Sequence, residues 1–159
     1  MINHNSVANL FCHRIRYVES NISWDEALQQ TIGLLQSDGI VDENYLSAIR
    51  KVTEETGPYY ILTDGLAMPH ARPDEGVVEG MGGLSLLVCK VPVCFDDEHA
   101  TVKVFIGLAA GNSDQHVLTI STLMNWLDSD DALSKLMTVN NEDALVQLVQ
   151  TAEICEPQL

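Results

Sequence analysis

Basic residues are scarce in this sequence. Of its 159 residues, 8 are lysine or arginine and 23 are aspartate or glutamate, which gives a formal net charge of −15 at pH 7. So few cations cannot cover the phosphates of a nucleic acid with a basic face, and we expect no nucleic-acid partner. The acidic excess favours a partner with a positive surface, or it serves only to keep the protein in solution.

Long apolar runs and targeting signals are also missing. No apolar run approaches the roughly 18–20 residues that a membrane-spanning helix needs. The start of the chain, Met1–Ser6, lacks the basic and then apolar regions of a secretory signal. Hydrophobic residues nevertheless make up 46% of the chain, enough to build an ordinary core. We expect one cytoplasmic domain over residues 1–159, with residues 1–13 irregular and partly loose.

The chain has no C-x-x-C pair. Its four cysteines are Cys12, Cys89, Cys94 and Cys155, and reduced thiols are expected in a cytosolic protein of this size. Cys89, Cys94 and His99 are spaced more widely than usual zinc ligands, and a fourth ligand is missing. We therefore expect no metal and no cofactor, with Cys89 packed in a strand; a metal-binding domain remains the alternative.

Apolar runs and helix-capping signals alternate along the sequence. Together they predict an α/β fold with a mixed central β-sheet and helices on both of its faces. The predicted strands lie near Arg14–Glu19, Tyr59–Leu62, Met81–Lys90 and Val102–Ala110. Two predicted helices lie in the first half of the chain: one behind a capping box at Ser23 and Glu26, and one over Glu43–Thr56 before Gly57. Three lie in the second half: one capped by Ser113 that contains Val117, Ile120, Met124 and Leu127, and two near Asp130–Met137 and Glu142–Ala152.

His70 follows an apolar segment on a stiff loop. The turn pair Asp64-Gly65 precedes this segment, and Pro69 fixes its own φ and biases Met68 toward an extended backbone. Small Ala71 and a cationic residue come next. Such a loop suits an imidazole that a partner must reach, although a lone histidine in this position often only satisfies a turn.

The run Gly65-Leu-Ala-Met-Pro-His-Ala71 resembles the active-site signature of enzyme IIA domains of the mannitol/fructose type from the bacterial sugar phosphotransferase system. A second histidine lies 46 residues later in a similar family pattern, Asn112-Ser-Asp-Gln-His-Val-Leu-Thr-Ile-Ser-Thr-Leu123. The flanking Gly57-Pro-Tyr-Tyr-Ile61 and His70-Ala-Arg-Pro73 look most like the branch of ascorbate-type and mannitol-like IIA proteins. The resemblance extends from about Arg14 to about Thr151.

This resemblance implies that His70 accepts a phosphoryl group from phosphorylated HPr, a phosphocarrier protein, and passes it to a cysteine of a cognate IIB protein. A membrane IIC component then takes part indirectly, and IIB and IIC are expected on other chains. Neutral imidazole suits the task because its unperturbed pKa is about 6.5. His116, in the first turn of a helix, stabilises the phosphoryl oxygens together with the helix N-terminus. The alternative is a regulatory module controlled by the same phosphorylation.

A cation for the phosphoryl group is harder to assign. Mannitol-specific relatives have an arginine in the second helix, where this chain reads Ala48-Ile-Arg-Lys-Val-Thr53. Arg50 and Lys51 are two candidates in this stretch. Arg72 is the third candidate, because it lies two residues past the acceptor. The two-pronged guanidinium of an arginine also matches the geometry of phosphate oxygens.

Other residues near the loop and elsewhere have less specific signals. Leu66 and Met68 beside the acceptor either contact a partner or pack in the core. His4, His13 and His99 lie in polar or irregular contexts, so we expect them at the surface.

Overall fold

A computed structural model describes residues 7–129 and 131–152 of the chain. Within these residues the chain forms six α-helices and five β-strands. In chain order they are α1 (Val7–Phe11), β1 (Ile15–Val18), α2 (Trp24–Ser37), α3 (Glu43–Thr56), β2 (Ile61–Thr63), β3 (Gly65–Ala67), β4 (Gly83–Val93), β5 (Val102–Ala109), α4 (Ser113–Leu127), α5 (Ala132–Thr138) and α6 (Glu142–Gln150). A 3-10 turn, Pro73–Glu75, follows β3. None of these described helices is long and apolar enough to cross a membrane.

The strands form one mixed sheet in the order β1-β4-β5-β3-β2. The two longest strands, β4 and β5, pair antiparallel at its centre. On either side, β1 runs parallel to β4 and β3 runs parallel to β5, while β2 pairs antiparallel with β3 at the edge. The predicted mixed sheet is therefore confirmed.

Helices cover both faces of this sheet. Successive side chains of β4 and β5 point to opposite faces, and they are buried on both. Leu86 and Val88 belong to a core shared with α1, α4, α5 and α6. Leu87, Cys89 and Phe105 belong to a second core shared with α2 and α3. The prediction of helices on both faces is confirmed, as is the place of Cys89 in a strand.

Local signals define the ends of α2 and α3 as predicted. The Ser23 hydroxyl accepts a hydrogen bond from the backbone N–H of Glu26 at 3.2 Å, which caps α2. Gly57 ends α3 with a φ of 94°, a conformation that favours glycine.

The N-terminal prediction is wrong where the structure describes it. Val7–Phe11 forms α1, and both Val7 and Phe11 are fully buried. A five-residue helix has almost no stability of its own, so its contacts with β4 and α6 account for its formation. Residues 1–6, including His4, lie outside the described residues.

The start of α4 also differs from the prediction. Its N-cap is Asn112, not Ser113, because the Asn112 side chain accepts from the backbone N–H of Gln115 at 2.8 Å. Val117 is 63% exposed, whereas Leu123 and Trp126 are buried. The first turns of α4 border a cleft, so only its later turns pack on the sheet.

Three smaller differences concern element ends and burial. Strand β2 begins at Ile61, two residues later than predicted. Helices α5 and α6 are where predicted but shorter, and Asp130 lies outside the described residues. Leu66 and Met68 are 2% and 3% exposed, so both pack in the core and offer no contact to a partner.

Candidate functional site

The histidine loop is attached to the centre of the sheet. It leaves β3 at Ala67, and the backbone N–H of Met68 donates to the carbonyl of Tyr60 at 2.9 Å. The Pro69 carbonyl accepts from the backbone N–H of Leu108, near the end of β5, at 3.2 Å. Two backbone hydrogen bonds therefore fix the residues immediately before His70.

The imidazole of His70 is held by its own loop. Its Nδ1 lies 2.7 Å from the carbonyl oxygen of Met68. A carbonyl only accepts, so Nδ1 carries the hydrogen and the neutral ring keeps a lone pair on Nε2. One ring nitrogen is thus anchored, and Nε2 keeps its lone pair without an anchor in the loop.

Tyr59 holds the same histidine from the other side. Its hydroxyl donates to the backbone carbonyl of His70. Its ring meets the imidazole edge-on, with 5.9 Å between the ring centroids. Tyr59 is 48% exposed, whereas neighbouring Tyr60 is buried, so Tyr59 forms an outer wall of the site.

Tyr45 of α3 lies beneath the loop. Its hydroxyl donates to the Leu108 carbonyl at 2.5 Å and accepts from the backbone N–H of Ala71 at 3.0 Å. Burial raises the pKa of Tyr45 to about 12, so the hydroxyl stays protonated at neutral pH.

His116 approaches from the N-terminus of α4. Its backbone N–H donates to the Asn112 carbonyl at 3.0 Å, which places it in the first turn. The centroids of the His70 and His116 rings are 6.2 Å apart. The first-turn N–H groups carry partial positive charge, so the two imidazoles and this helix end surround one site that suits an anion.

Arg72 lies at the rim, paired with carboxylates. Its Nε is 3.1 Å from a Glu75 oxygen and 3.9 Å from Asp74, and its side chain is 77% exposed. The backbone N–H of Arg72 also donates to Glu75 at 3.0 Å. This N–H and, after it, the guanidinium hold the pKa of Glu75 below its ordinary value. The guanidinium is therefore near the site, but it is already paired with carboxylates.

The other candidate cations lie elsewhere. The Nε of Arg50 binds Asp25 of α2 at 2.5 Å, and Lys51 is exposed. Neither residue is among those that line the cleft around His70. Of the three candidate cations, Arg72 alone is brought to the site.

These groups line one cleft of about 440 Å³. Its wall consists of residues from α3, the histidine loop, the end of β5 and the start of α4: Tyr45, Tyr59, His70, Ala71, Arg72, Pro73, Glu75, Leu108, Ala110, Asn112, Ser113, His116 and Val117. Sequence reasoning missed Tyr45, Tyr59 and Glu75 as members of the site. The predicted strand over Tyr59–Leu62 gave only an indirect signal for Tyr59, because the two tyrosines form a turn before β2 and tertiary geometry turns Tyr59 outward.

The possible metal ligands Cys89 and His99 of the β4–β5 region are buried or already paired. Burial raises the pKa of the Cys89 thiol to about 12, which disfavours a thiolate. The Nδ1 of His99 lies 2.8 Å from an Asp96 oxygen, and His99 and His13 are exposed as predicted. Over residues 7–129 and 131–152, no group of three or more His, Cys, Asp or Glu residues is placed to hold a metal ion.

A known protein family matches nearly the whole chain. Residues 10–152 match the family model described as phosphoenolpyruvate-dependent sugar phosphotransferase system, EIIA 2. The chain belongs to this family. The resemblance seen in the two histidine motifs is therefore confirmed, and family members are proteins of the phosphotransferase type.

Two curated relatives and one solved structure illustrate the branch of this EIIA 2 chain. The mannitol-specific cryptic phosphotransferase enzyme IIA component of Escherichia coli K12 is 35% identical over 135 residues, covering 85% of this chain and 90% of the relative. The ascorbate-specific EIIA component of the same strain is 32% identical over 129 residues, covering 80% and 82%. The solution structure of the mannitol-specific cryptic enzyme IIA CmtB from Escherichia coli superposes with a TM-score of 0.82 at 33% identity, covering 90% of this chain and 97% of that one.

Proposed function

We propose that this chain is the phosphocarrier IIA component of a sugar phosphotransferase system, with His70 as the phosphoryl acceptor. The observation that carries the proposal is the hydrogen bond from Nδ1 of His70 to the Met68 carbonyl, in a ring that lines the cleft. This bond leaves Nε2 with the lone pair that a nucleophile needs.

Acceptance is an in-line displacement at phosphorus. The lone pair of His70 Nε2 forms the new N–P bond, while the N–P bond of phosphorylated HPr breaks and returns its electron pair to the donor imidazole. The acceptor ring keeps its Nδ1 hydrogen and becomes cationic. The Met68 carbonyl, which accepts that hydrogen at 2.7 Å, stabilises the positive ring.

Onward transfer reverses these roles. A cysteine thiolate of a cognate IIB protein attacks phosphorus, the S–P bond forms, and the N–P bond to His70 returns its electrons to the ring. His116 and the N-terminus of α4 stabilise the oxygens that carry charge between the two partners. No cofactor takes part, and this chain does not touch the sugar.

The relatives named above are specific for mannitol and for ascorbate by their names. The carrier touches protein partners alone, so its site has no reason to encode the sugar. We propose a single IIA domain for the chain as a whole.

The test is phosphorylation from phosphoenolpyruvate through enzyme I and HPr, followed by mapping of the modified residue. We expect acid-labile phosphate on His70 of the wild type, and none on His70→Ala with the fold retained. His99→Ala is the matched control, because it removes an exposed imidazole outside the cleft. Phosphate on His70→Ala at the wild-type stoichiometry contradicts the assignment. Acceptance without transfer to any IIB protein assigns the chain to the regulatory modules instead.

A further inference from the structure

We propose that Tyr45 is a positioning residue for phosphoryl transfer, whose hydroxyl fixes the histidine loop against the strand that leads to His116. The inference rests on the proposed function. It concerns a residue on α3, 25 positions before the acceptor in the sequence.

A single oxygen atom joins two parts of the site. The Tyr45 hydroxyl donates to the carbonyl of Leu108, at the end of β5, and accepts from the N–H of Ala71, the residue after His70. Leu108 in turn donates its own N–H to Pro69, the residue before His70. The loop is thus tied to β5 on both sides of the acceptor, and Tyr45 supplies the second tie.

The same strand leads into the helix that carries His116. Leu108 lies four residues before Asn112, the N-cap of α4. A shift of the loop relative to Leu108 therefore changes the separation of the two imidazoles, now 6.2 Å between centroids. In-line transfer is sensitive to such a shift, since a displacement of about 1 Å can cost a hundredfold in rate.

The hydroxyl acts through the backbone and not on the phosphoryl group. Its one hydrogen lies within reach of the carbonyls of Leu108 at 2.5 Å and Ala71 at 3.2 Å, and the N–H of Ala71 occupies a lone pair. Tyr45 is 1% exposed, so its phenol is sealed beneath the cleft. The hydroxyl of Tyr45 therefore aligns the histidine loop. A phenylalanine at this position would fill the same apolar space but lack the hydroxyl.

The test compares Tyr45→Phe with Tyr60→Phe. Tyr60 is a matched control because it is also 1% exposed and its hydroxyl is also bonded, to Thr53 at 2.8 Å, away from the cleft. Tyr60→Phe keeps the main-chain carbonyl that holds Met68 and removes only this hydroxyl. Both changes delete one buried, hydrogen-bonded hydroxyl. The two variants are compared at a temperature where both are folded by unfolding curves.

Two readouts separate alignment from stability. Saturation kinetics with phosphorylated HPr should give a kcat about tenfold lower for Tyr45→Phe with KM within about twofold, because alignment is lost and docking is kept. Nitrogen NMR of unphosphorylated protein should show neutral His70 losing part of its Nδ1–H tautomer in Tyr45→Phe alone. Tyr60→Phe should match the wild type in both.

A wild-type kcat and tautomer in Tyr45→Phe overturns the inference, as does an equal fall of kcat in Tyr60→Phe. The NMR readout needs no phosphoryl donor. If the wild type is not phosphorylated at His70, the proposed function fails while the tautomer still reports whether Tyr45 aligns the loop.

Discussion

The two histidines of the cleft stand in different structural settings. His70 is held by its own loop through Nδ1, whereas His116 belongs to the first turn of a helix. This difference fits an acceptor whose geometry is fixed and a second imidazole that serves the transferred group.

Replacement of His116 by alanine tests the second role. We expect His116→Ala to retain acceptance at His70 but to slow transfer to a purified IIB partner by about 10²–10³, the usual effect of removing one charge-stabilising donor. His99→Ala again serves as the control. Unchanged rates in both directions would make His116 a structural residue only.

Arg72 can contact a phosphoryl group only if its guanidinium leaves Glu75. It now binds Glu75 at 3.1 Å, and it must leave this carboxylate to reach a phosphoryl group. We expect Arg72→Ala to slow transfer about ten- to hundredfold, because a charge-assisted hydrogen bond to the phosphoryl group is lost. Arg72→Lys should slow transfer less than Arg72→Ala, but not match the wild type, because lysine keeps the charge and loses the fork.

The rates to measure are those with phosphorylated HPr and with IIB. Arg16→Ala, which removes an exposed arginine of β1, controls for net charge. Small, equal effects of the two Arg72 variants would identify a solvated side chain.

At the scale of secondary-structure elements, the sequence predicts what local chemistry decides. Ser23 and Gly57 are correct as helix ends because a hydroxyl cap and a positive-φ residue act within one turn. Helix α1 escapes prediction because tertiary contacts stabilise it. Tyr45 lies within the predicted helix over Glu43–Thr56, and nothing local indicates that its hydroxyl reaches the loop.

Three elements meet at a partly buried ion pair. Arg14, which is 6% exposed, donates from its guanidinium to Asp38 at the end of α2, to the Leu10 carbonyl of α1 and to the Leu84 carbonyl of β4. His13 also contacts Asp38, at 2.9 Å. This cluster joins α1 and α2 to the sheet.

The stability contributed by Asp38 should depend on pH. The Arg14 hydrogen bond, against an opposing effect of burial, holds the pKa of Asp38 below its ordinary value of 3.8. A lowered folded-state pKa gives stability that is complete above the ordinary pKa and is lost as the pH falls through the lowered one. Asp38→Asn should therefore lower the free energy of unfolding by about 2 kcal/mol at pH 7, with the difference shrinking below about pH 4.

Urea unfolding at several pH values measures this difference. Asp97→Asn, at an exposed position between β4 and β5, should have little effect at any pH. A difference for Asp38→Asn that is constant between pH 7 and pH 3 would show that the carboxylate charge is irrelevant.

At the scale of the whole molecule, charge governs encounter with partners. The net charge is −15, and exposed charges are screened over about 8–10 Å near 0.1–0.15 M salt. If the donor presents a basic face, the second-order rate of transfer should fall as salt rises, while the rate at saturation stays constant. Stopped-flow transfer from low to high salt measures both, and a flat second-order rate excludes steering.

The fold as a whole is more predictable than the cleft. Apolar runs such as Val102–Ala110 predict buried strands directly, and capped helices between them leave few arrangements other than a covered mixed sheet. The cleft instead depends on side chains from α3, β5 and α4 that meet only after folding. The histidine motifs predict its two imidazoles, while Glu75 and Tyr59 are placed there by tertiary geometry.

The fixed histidine loop has a consequence for the direction of exchange. Contacts from Tyr45, Tyr59, Leu108 and the Met68 carbonyl order the loop when the chain folds, so the loss of conformational entropy occurs once and not at each loading. If His70 is the acceptor, as proposed, the empty and loaded forms need little reorganisation between them. The equilibrium between donor and acceptor is then set by the bonds to phosphorus and not by a rearrangement of the loop, so the loop itself favours neither direction of transfer.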